Sequence, residues 1–167
     1  YRVDLVIRAF EIVKKRFPAA SLTLVGSGSL ETSLRALVSQ LGLTSSITFA
    51  GAVGNQEIHR FYDENDIFIN ASEVDNLPVS ILEAFASGTV VASTSPGGIP
   101  FLVEHSRTGL LSPPGSTQEL AQNVIDIVDD PEFAEAMAMA AYEEFKRRTW
   151  PWPLLRQIPG RPLCRSN

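Results

Sequence analysis

Residues 67–93 read IFINASEVDNLPVSILEAFASGTVVAS. Ile67–Asn70 and residues 90–93 are short apolar runs with β-branched residues, which predicts two strands. Between them Pro78 can open a helix that stops just before Gly88, a residue that commonly follows a helix end. The stretch therefore predicts a strand, a loop, a helix and a second strand, which is the repeating unit of a parallel sheet.

The same alternation continues on both sides of this stretch. Apolar residues recur at helical spacing in five further segments, and two more short runs have strand-like composition. The predicted helices span residues 6–17, 30–41, 58–62, 120–128 and 131–147, and the predicted strands span 21–25 and 47–50. Asn55 is expected to cap the third of these helices, and Ser116 with Glu119 has the spacing of a capping box before the fourth.

These elements predict an α/β fold, a doubly wound, Rossmann-like parallel sheet with helices on both faces. The first predicted element is a helix, although a doubly wound sheet opens with its central strand. We therefore expect the sheet to lack its first strand, and an open strand edge invites aggregation. The domain is expected over residues 1–150, truncated at its amino end, with an irregular tail over 151–167 where periodicity fails.

Composition argues against several classes of protein. Hydrophobic residues make up 44% of the 167 residues, yet no apolar run reaches the roughly 20 residues that span a bilayer. The net charge of −5 argues against nucleic-acid binding, which usually needs a basic face. Cys164 has no second cysteine to pair with, which fits a reducing, cytoplasmic compartment. His59 and His105 are far apart in sequence and suggest no metal site.

Ligands of open α/β sheets bind at the carboxyl ends of the strands, and one loop there carries two features of a binding site. Asp75 lies in the loop after the strand Ile67–Asn70, and Glu83 lies on the second turn of the following helix. The amino end of that helix offers free N–H groups to an anion such as a diphosphate. The two carboxylates could then accept hydrogen bonds from sugar hydroxyls on either side of it.

A plainer interpretation is that Asp75 is a turn residue and Glu83 a solvated helix residue. The neighbours of Glu83 argue against it, because Ile81, Leu82 and Ala84 to Ala86 make this helix apolar nearly all round. A carboxylate on a buried helix usually needs a partner or a ligand.

The order of several short motifs resembles the C-terminal domain of family-4 glycosyltransferases, which have the GT-B fold. The resemblance covers roughly Tyr1 to Trp150. It is carried by residues 75–88, Val90-Val91-Ala92-Ser93, Gly97-Gly98-Ile99-Pro100 and Thr108-Gly109-Leu110-Leu111, preceded by Leu24-Val25-Gly26-x-Gly28 and Phe49-x-Gly51.

The resemblance implies a hexosyl- or other glycosyltransferase that moves a sugar from a nucleoside diphosphate to an acceptor with retention of configuration. It implies that Glu83 bonds the ribose hydroxyls of the nucleotide and that Asp75 positions the donor sugar. Residues 51–53 would border the nucleobase, although a plain turn explains them equally well. The implied donor-binding residues besides these two carboxylates are Gly26, Gly28, Gly51, Ala52, Val53, Asn76, Leu77, Val79, Ser80, Gly97 and Gly98.

This chain departs from the family pattern at several positions. Asp75 replaces a glutamate, Pro78 stands where a glycine with an N–H is usual, and Phe101 replaces a frequent glutamate. The Arg and Lys that neutralise the donor diphosphate in the family belong to a segment expected before Tyr1, and no residue here is assigned those roles.

The resemblance further implies partners and a location for the whole enzyme. A glycan, lipid or small-molecule acceptor would bind an N-terminal domain that this chain lacks, so the chain alone would be inactive. Neither a metal nor another cofactor is expected. The cytoplasm is the expected location, with peripheral association at the inner face of the membrane through the other half.

Two other functions are weighed. A non-catalytic nucleotide-binding or interaction module of the same fold is favoured by Asp75, Pro78 and the lack of the Arg and Lys. A dinucleotide-binding dehydrogenase domain is disfavoured, because Glu31 stands where the third glycine of the fingerprint belongs and no acidic residue closes the strand 47–50.

Overall fold

The computed structural model describes residues 1–76 and 78–147, and the predicted tail and the predicted domain end at residue 150 lie outside them. Seven helices and five strands occur in the described part of the chain. In chain order they are α1 (Val3–Arg16), β1 (Leu22–Val25), α2 (Glu31–Gln40), β2 (Ile47–Gly51), α3 (Ile58–Glu64), β3 (Ile67–Asn70), α4 (Val79–Ser87), β4 (Val90–Thr94), α5 (Ile99–Leu102), β5 (Leu110–Ser112), α6 (Thr117–Asp129) and α7 (Pro131–Arg147).

Every predicted strand and helix is present, with small shifts at its ends. Helix α4 begins directly after Pro78 and is closed by Gly88, whose φ of 69° is in the left-handed region. The predicted cap of α6 is confirmed, since the Ser116 hydroxyl accepts a hydrogen bond from the backbone N–H of Glu119 at 3.4 Å. Strand β5 and the short helix α5 were not predicted.

The predicted cap of α3 is wrong. Asn55 lies before the helix, Glu57 occupies the N-cap position, and no side chain caps this end. The carbonyl of Gly54 accepts hydrogen bonds from the backbone N–H groups of Glu57 and Ile58, at 2.9 and 3.2 Å. A backbone turn therefore begins the helix two residues later than a side-chain cap at Asn55 would.

All strand pairs are parallel, and helices cover both faces of the sheet. Residues of β3 and β4 alternate between two cores, as the period of a strand requires. Ile69 and Ala92 belong to the core beneath α1 and α6, whereas Phe68 and Val91 face the core formed with α3, α4, α5 and α7. The predicted doubly wound α/β fold is therefore confirmed.

The described strands form a sheet in two parts, which is consistent with the expectation that the sheet lacks a strand. Strand β1 pairs only with β2, and β3, β4 and β5 form a separate group, so the described residues contain no ladder joining β1 to β3. Strand β4 has a neighbour on each side and is buried throughout. Strand β3 has a neighbour on one side, and Ile67, Phe68 and Ile69 are half-buried. Both parts nevertheless pack against the same core beneath α1.

The described helices include none with the length and apolar character that crossing a bilayer requires.

Candidate functional site

A buried polar network joins the carboxyl ends of β3 and β4. The Asn70 amide donates to the Ser93 hydroxyl at 3.0 Å. The backbone N–H of Ser72 donates to the Thr94 hydroxyl, which in turn donates to the Ser72 carbonyl, both at 2.9 Å. These four side chains are at most 3% exposed. The network fixes the start of the loop that carries Asp75, because buried polar groups are costly to leave unpaired.

The carboxylate of Asp75 lies at the edge of this network. Its Oδ2 is 3.4 Å from the Ser72 hydroxyl. Tyr1 is 78% exposed, yet its phenol lies near Asp75, and partial desolvation followed by the Asp75 carboxylate raises the pKa of Tyr1. Asp75 itself is half-buried. The predicted site residue is therefore held at the surface of the sheet edge, where a ligand could reach it.

The backbone of the turn after β4 packs directly against the backbone of the loop after β3. The backbone N–H of Gly98 donates to the Asp75 carbonyl at 2.9 Å. A Cβ at Gly97 would lie 2.3 Å from the Asp75 oxygen, and one at Gly98 would lie 1.8 Å from the Asn76 oxygen. Only glycine allows this approach. Four residues predicted for the site are thus brought together: Asp75, Asn76, Gly97 and Gly98.

The carboxylate of Glu83 has one partner in the described part of the chain, the phenol of Tyr62. The Tyr62 hydroxyl lies 3.0 Å from Glu83 Oε2 and 3.2 Å from the carbonyl oxygen of Ser80. The predicted burial of α4 is confirmed, since Ile81 and Phe85 beside Glu83 are at most 1% exposed. Glu83 as a whole is half-buried.

Tyr62 lies at the end of the segment 58–62, for which the sequence predicts only a helix with apolar residues at helical spacing. Its ring is indeed buried, but its hydroxyl reaches α4. Burial first, and then the charge of Glu83, raise the pKa of Tyr62 far above its ordinary range. The signal that could have found this contact is that a buried tyrosine hydroxyl usually has a hydrogen-bond partner.

The two carboxylates share one end of the domain. Tyr1, which contacts Asp75, is close enough to Tyr62 for its charge to contribute to the raised pKa of Tyr62. Tyr62 in turn contacts Glu83. Asp75 lies in the loop that leads into α4, and Tyr62 contacts Ser80 and Glu83 on its first two turns.

The amino end of α4 itself is open. No side chain caps it, and Pro78 at the N-cap has no N–H of its own. Within residues 1–76 and 78–147, the backbone N–H groups of Val79 and Ser80 have no hydrogen-bond acceptor. Val79 is 39% exposed. Leu77, whose amide was also predicted to face the ligand, lies outside the described residues, and its role stays a prediction.

The other predicted residues form a second group, at the carboxyl ends of β1 and β2. The backbone N–H of Gly26 donates to the Gly51 carbonyl at 2.8 Å, and both glycines have positive φ, 126° and 73°. Ala52 is exposed and Val53 is half-buried beside them. A Cβ at Gly28 would meet open space. No hydrogen bond among the described residues joins this group to the loop of Asp75.

Arg2 ties the start of α1 to the loop after β3. Its backbone N–H donates to the Ala71 carbonyl at 2.8 Å. Its guanidinium pairs with Asp4 at 2.8 Å and also contacts the Glu73 carboxylate. The Arg2 side chain holds the pKa of Asp4 below its ordinary value. The amino end of the chain thus lies at the same sheet edge as Asp75.

A shallow concave surface near the end of α7 is a weaker candidate. It is lined by charged residues that pair along their own segments, such as Lys146 with Glu143 at 2.6 Å and Arg147 with Glu144 at 2.5 Å. Within the described residues, no group of three or more His, Cys, Asp or Glu could hold a metal ion. The expectation that donor binding needs no metal stays a prediction.

The fold is that of the C-terminal domain of GT-B glycosyltransferases. Residues 1–144 match the family model described as glycosyl transferases group 1. The chain belongs to this family.

Curated relatives include two glycosyltransferases of bacterial origin. The chain is 30% identical over 159 residues to the GDP-mannose-dependent alpha-(1-6)-phosphatidylinositol monomannoside mannosyltransferase of Mycobacterium tuberculosis, covering 91% of this chain and 41% of the relative. It is 34% identical over 125 residues to the amylovoran biosynthesis glycosyltransferase AmsK of Erwinia amylovora, covering 71% and 31%. The chain therefore spans less than half the length of these relatives.

Solved structures show the same fold. Alr3699/HepE of Anabaena in complex with UDP-glucose superposes with a TM-score of 0.82 at 25% identity, over 93% of this chain and 43% of that one. The C-terminal domain of the group 1 glycosyl transferase LpcC of Francisella tularensis superposes with a TM-score of 0.80 at 25% identity, over 87% and 78%.

Proposed function

We propose that this chain is the donor-binding domain of a glycosyltransferase that transfers a sugar from a nucleoside diphosphate to an acceptor with retention of configuration. The proposal rests on one arrangement: Asp75 lies in the loop that leads from the carboxyl end of β3 into α4, and Glu83 lies on the second turn of α4. Group 1 family membership and the UDP-glucose complex of a structural neighbour support it.

Each part of the proposed site has one task in binding the donor. The N–H groups of Val79 and Ser80 and the partial positive charge of α4 face the diphosphate. Glu83 accepts hydrogen bonds from the ribose hydroxyls through the oxygen that Tyr62 leaves unused. Asp75 accepts one from a hydroxyl of the donor sugar. The glycine turn of Gly97 and Gly98 holds the Asp75 loop against the sheet.

In the proposed reaction the bond between the anomeric carbon and the diphosphate oxygen breaks, and an acceptor oxygen forms the new bond. Negative charge develops on the leaving diphosphate, so the protein's main contribution is electrostatic. The helix end supplies part of this, and cationic groups outside this chain supply the rest. Asp75 positions the sugar and is not a nucleophile. No metal takes part in this proposal.

The acceptor is proposed to bind a domain outside this chain. The Mycobacterium relative is named for a phosphatidylinositol monomannoside, and the Erwinia relative for amylovoran. A lipid or glycan acceptor is therefore proposed, with the enzyme in the cytoplasm and peripherally bound at the inner face of the membrane. Co-sedimentation of the full-length protein with vesicles of anionic phospholipid tests this, and an unbound protein would contradict the membrane association.

Calorimetric titration of the full-length protein with UDP and with GDP tests donor binding. Glu83→Ala is expected to weaken binding about tenfold or more, because it removes hydrogen bonds to a charged acceptor. Glu135→Ala, an exposed glutamate of α7, is the matched control and should bind as the wild type does. The absence of heat with either nucleotide, or equal binding by Glu83→Ala, would count against the proposal.

A non-catalytic nucleotide-binding module is the second candidate. Aspartate at position 75 and the missing N–H of Pro78 favour it, since both reduce contacts to the donor. Hydrolysis and transfer assays with UDP- and GDP-sugars separate the two. Tight nucleotide binding without turnover by the full-length protein would favour the module.

A further inference from the structure

We propose that Tyr62 is a positioning residue for Glu83, and that its hydroxyl thereby sets the preference of the site for a nucleotide with ribose hydroxyls. The inference rests on the proposed function, in which Glu83 binds the ribose. It begins from the 3.0 Å contact between the Tyr62 hydroxyl and Glu83 Oε2.

The hydroxyl of Tyr62 is itself held in place. It lies between Glu83 Oε2 and the Ser80 carbonyl oxygen, at 3.0 and 3.2 Å. A phenol has one proton, and a charged carboxylate takes the stronger hydrogen bond. The Tyr62 hydroxyl therefore fixes the direction of one carboxylate oxygen relative to the first turn of α4, where the open N–H groups lie.

The ring and backbone of Tyr62 are also held in place by packing and hydrogen bonding. The residue is 7% exposed, and its ring packs at 57° against that of Phe68, with centroids 5.7 Å apart. The Thr89 hydroxyl donates to the Tyr62 carbonyl at 3.1 Å. The donor thus comes from a fixed residue of α3, outside the helix that carries Glu83.

The hydroxyl is also a permanent donor. Burial and the adjacent Glu83 keep the phenol protonated across physiological pH by raising the pKa of Tyr62. In the described part of the chain, Glu83 Oε1 accepts no hydrogen bond. With Oε2 held by Tyr62, Oε1 is left to meet a ligand. A glutamate held in this way loses less rotamer freedom on binding, which favours a ligand that offers hydroxyls there.

Calorimetry on the full-length protein with UDP, GDP and their 2′,3′-dideoxy analogues tests the inference. The wild type is expected to prefer the ribose form at least tenfold. Tyr62→Phe, which keeps the ring and removes only the hydroxyl, should reduce that preference by about 3- to 10-fold and leave dideoxynucleotide binding unchanged. Glu83→Gln should lower the preference further, and the double variant should match Glu83→Gln alone.

Two further variants sharpen the result. Tyr142→Phe on α7 makes the same chemical change at a ring that contacts Lys146, and it should keep the wild-type preference. Glu83→Asp moves the carboxylate one methylene away from an unchanged Tyr62. It should reduce the preference for the ribose form, and it remains available as a test if Tyr62→Phe does not fold. A purely structural Tyr62 would instead weaken ribose and dideoxy forms equally.

The outcomes separate this inference from the proposed function. If Glu83→Gln loses the ribose preference while Tyr62→Phe or Glu83→Asp keeps it in full, Tyr62 does not position Glu83 and the donor-binding proposal stands. If neither nucleotide binds the wild type, or Glu83→Gln binds both forms as the wild type does, the proposed function fails and this inference fails with it.

Discussion

The backbone oxygen of Asn76 occupies the position that a Cβ atom at residue 98 would take, which only a glycine leaves free. A Cβ at that glycine would be 1.8 Å from this oxygen, a distance that real Cβ contacts do not show. The carbonyl of the preceding residue, Asp75, accepts the N–H of Gly98 at 2.9 Å. The glycine turn after β4 therefore sets the position of the acidic loop after β3.

Gly98→Ala is expected to push this loop away from the sheet edge. Because the colliding atom belongs to the backbone, it cannot rotate aside, and we expect a cost of about 1–3 kcal/mol in unfolding free energy. Binding of a nucleoside-diphosphate sugar should weaken about tenfold or more, since the loop carries Asp75, the proposed contact of the donor sugar. Urea unfolding and calorimetry measure the two effects. Gly54→Ala, where a Cβ meets open space, is the control, and equal effects of both substitutions would contradict the prediction.

Helix α4 is expected to be the element whose packing matters most for the site. Phe85 is 1% exposed and belongs to the core formed with α3, α5 and α7. Phe85→Ala should cost about 3–5 kcal/mol through lost burial and the cavity that remains. Denaturant titration measures this cost. Phe85→Leu keeps most of the volume and should cost clearly less. Similar losses from both would show that the side chain is not packed as described.

The Arg2–Asp4 pair is expected to make stability depend on pH in the acid range. Arg2 lowers the pKa of Asp4 from its ordinary 3.8, so the charged form is favoured in the folded state. The stabilisation is therefore present above that value and is lost as pH falls through the lowered pKa. Both side chains are partly exposed, so solvent screening keeps the effect on the unfolding free energy small.

Comparing the wild type with Asp4→Asn by urea unfolding tests this sign. The difference should be constant from pH 7 to about pH 5 and shrink below about pH 4. A difference that grows on acidification would contradict the assignment.

The divided sheet is expected to limit the stability of this chain by itself. One edge of β1 and one edge of β3 carry no strand in the described residues, and open edges promote association. We expect residues 1–167 alone to aggregate or to melt without a sharp, reversible transition above about 60 °C. Calorimetry with sedimentation velocity measures both properties.

A designed extension provides the matched comparison. The Arg2 N–H bonds the Ala71 carbonyl at the carboxyl end of β3, so a parallel strand beside β3 would end close to Tyr1. A short apolar strand joined directly to Tyr1 should therefore raise the melting temperature and reduce aggregation. A scrambled polar extension of equal length should not. Equal melting of all three forms would show that the open edges are harmless.

Much of the secondary structure followed from local pattern. The bounds of β3 were predicted without error, and α4 was predicted to one residue at its start. Strand β5 was missed because Leu110–Ser112 is too short to show a period and is a strand only through its pairing with β4. Asn55 failed as a cap because the backbone of Gly54 already supplies the acceptor for the first turn of α3.

The candidate site was predicted only in part, because several of its contacts join residues that are far apart along the chain. The apolar neighbours of Glu83 indicated its buried helix, but they could not indicate Tyr62, which is 21 positions away along the chain. The motif containing Gly97 and Gly98 carried the resemblance, but it did not reveal that these glycines make room for the backbone of Asp75 and Asn76.

By itself the sequence determined the alternation of strands and helices, the ends of α4 and the presence of two carboxylates around its start. These properties depend on residues a few positions apart, whose backbone preferences and periodicity act locally. Only the tertiary structure decided that Tyr62 holds Glu83, that the glycine turn carries the Asp75 loop, and that the sheet is divided between β1 and β3. Those relationships join distant segments, and packing across the sheet brings such segments together in ways that no local pattern encodes.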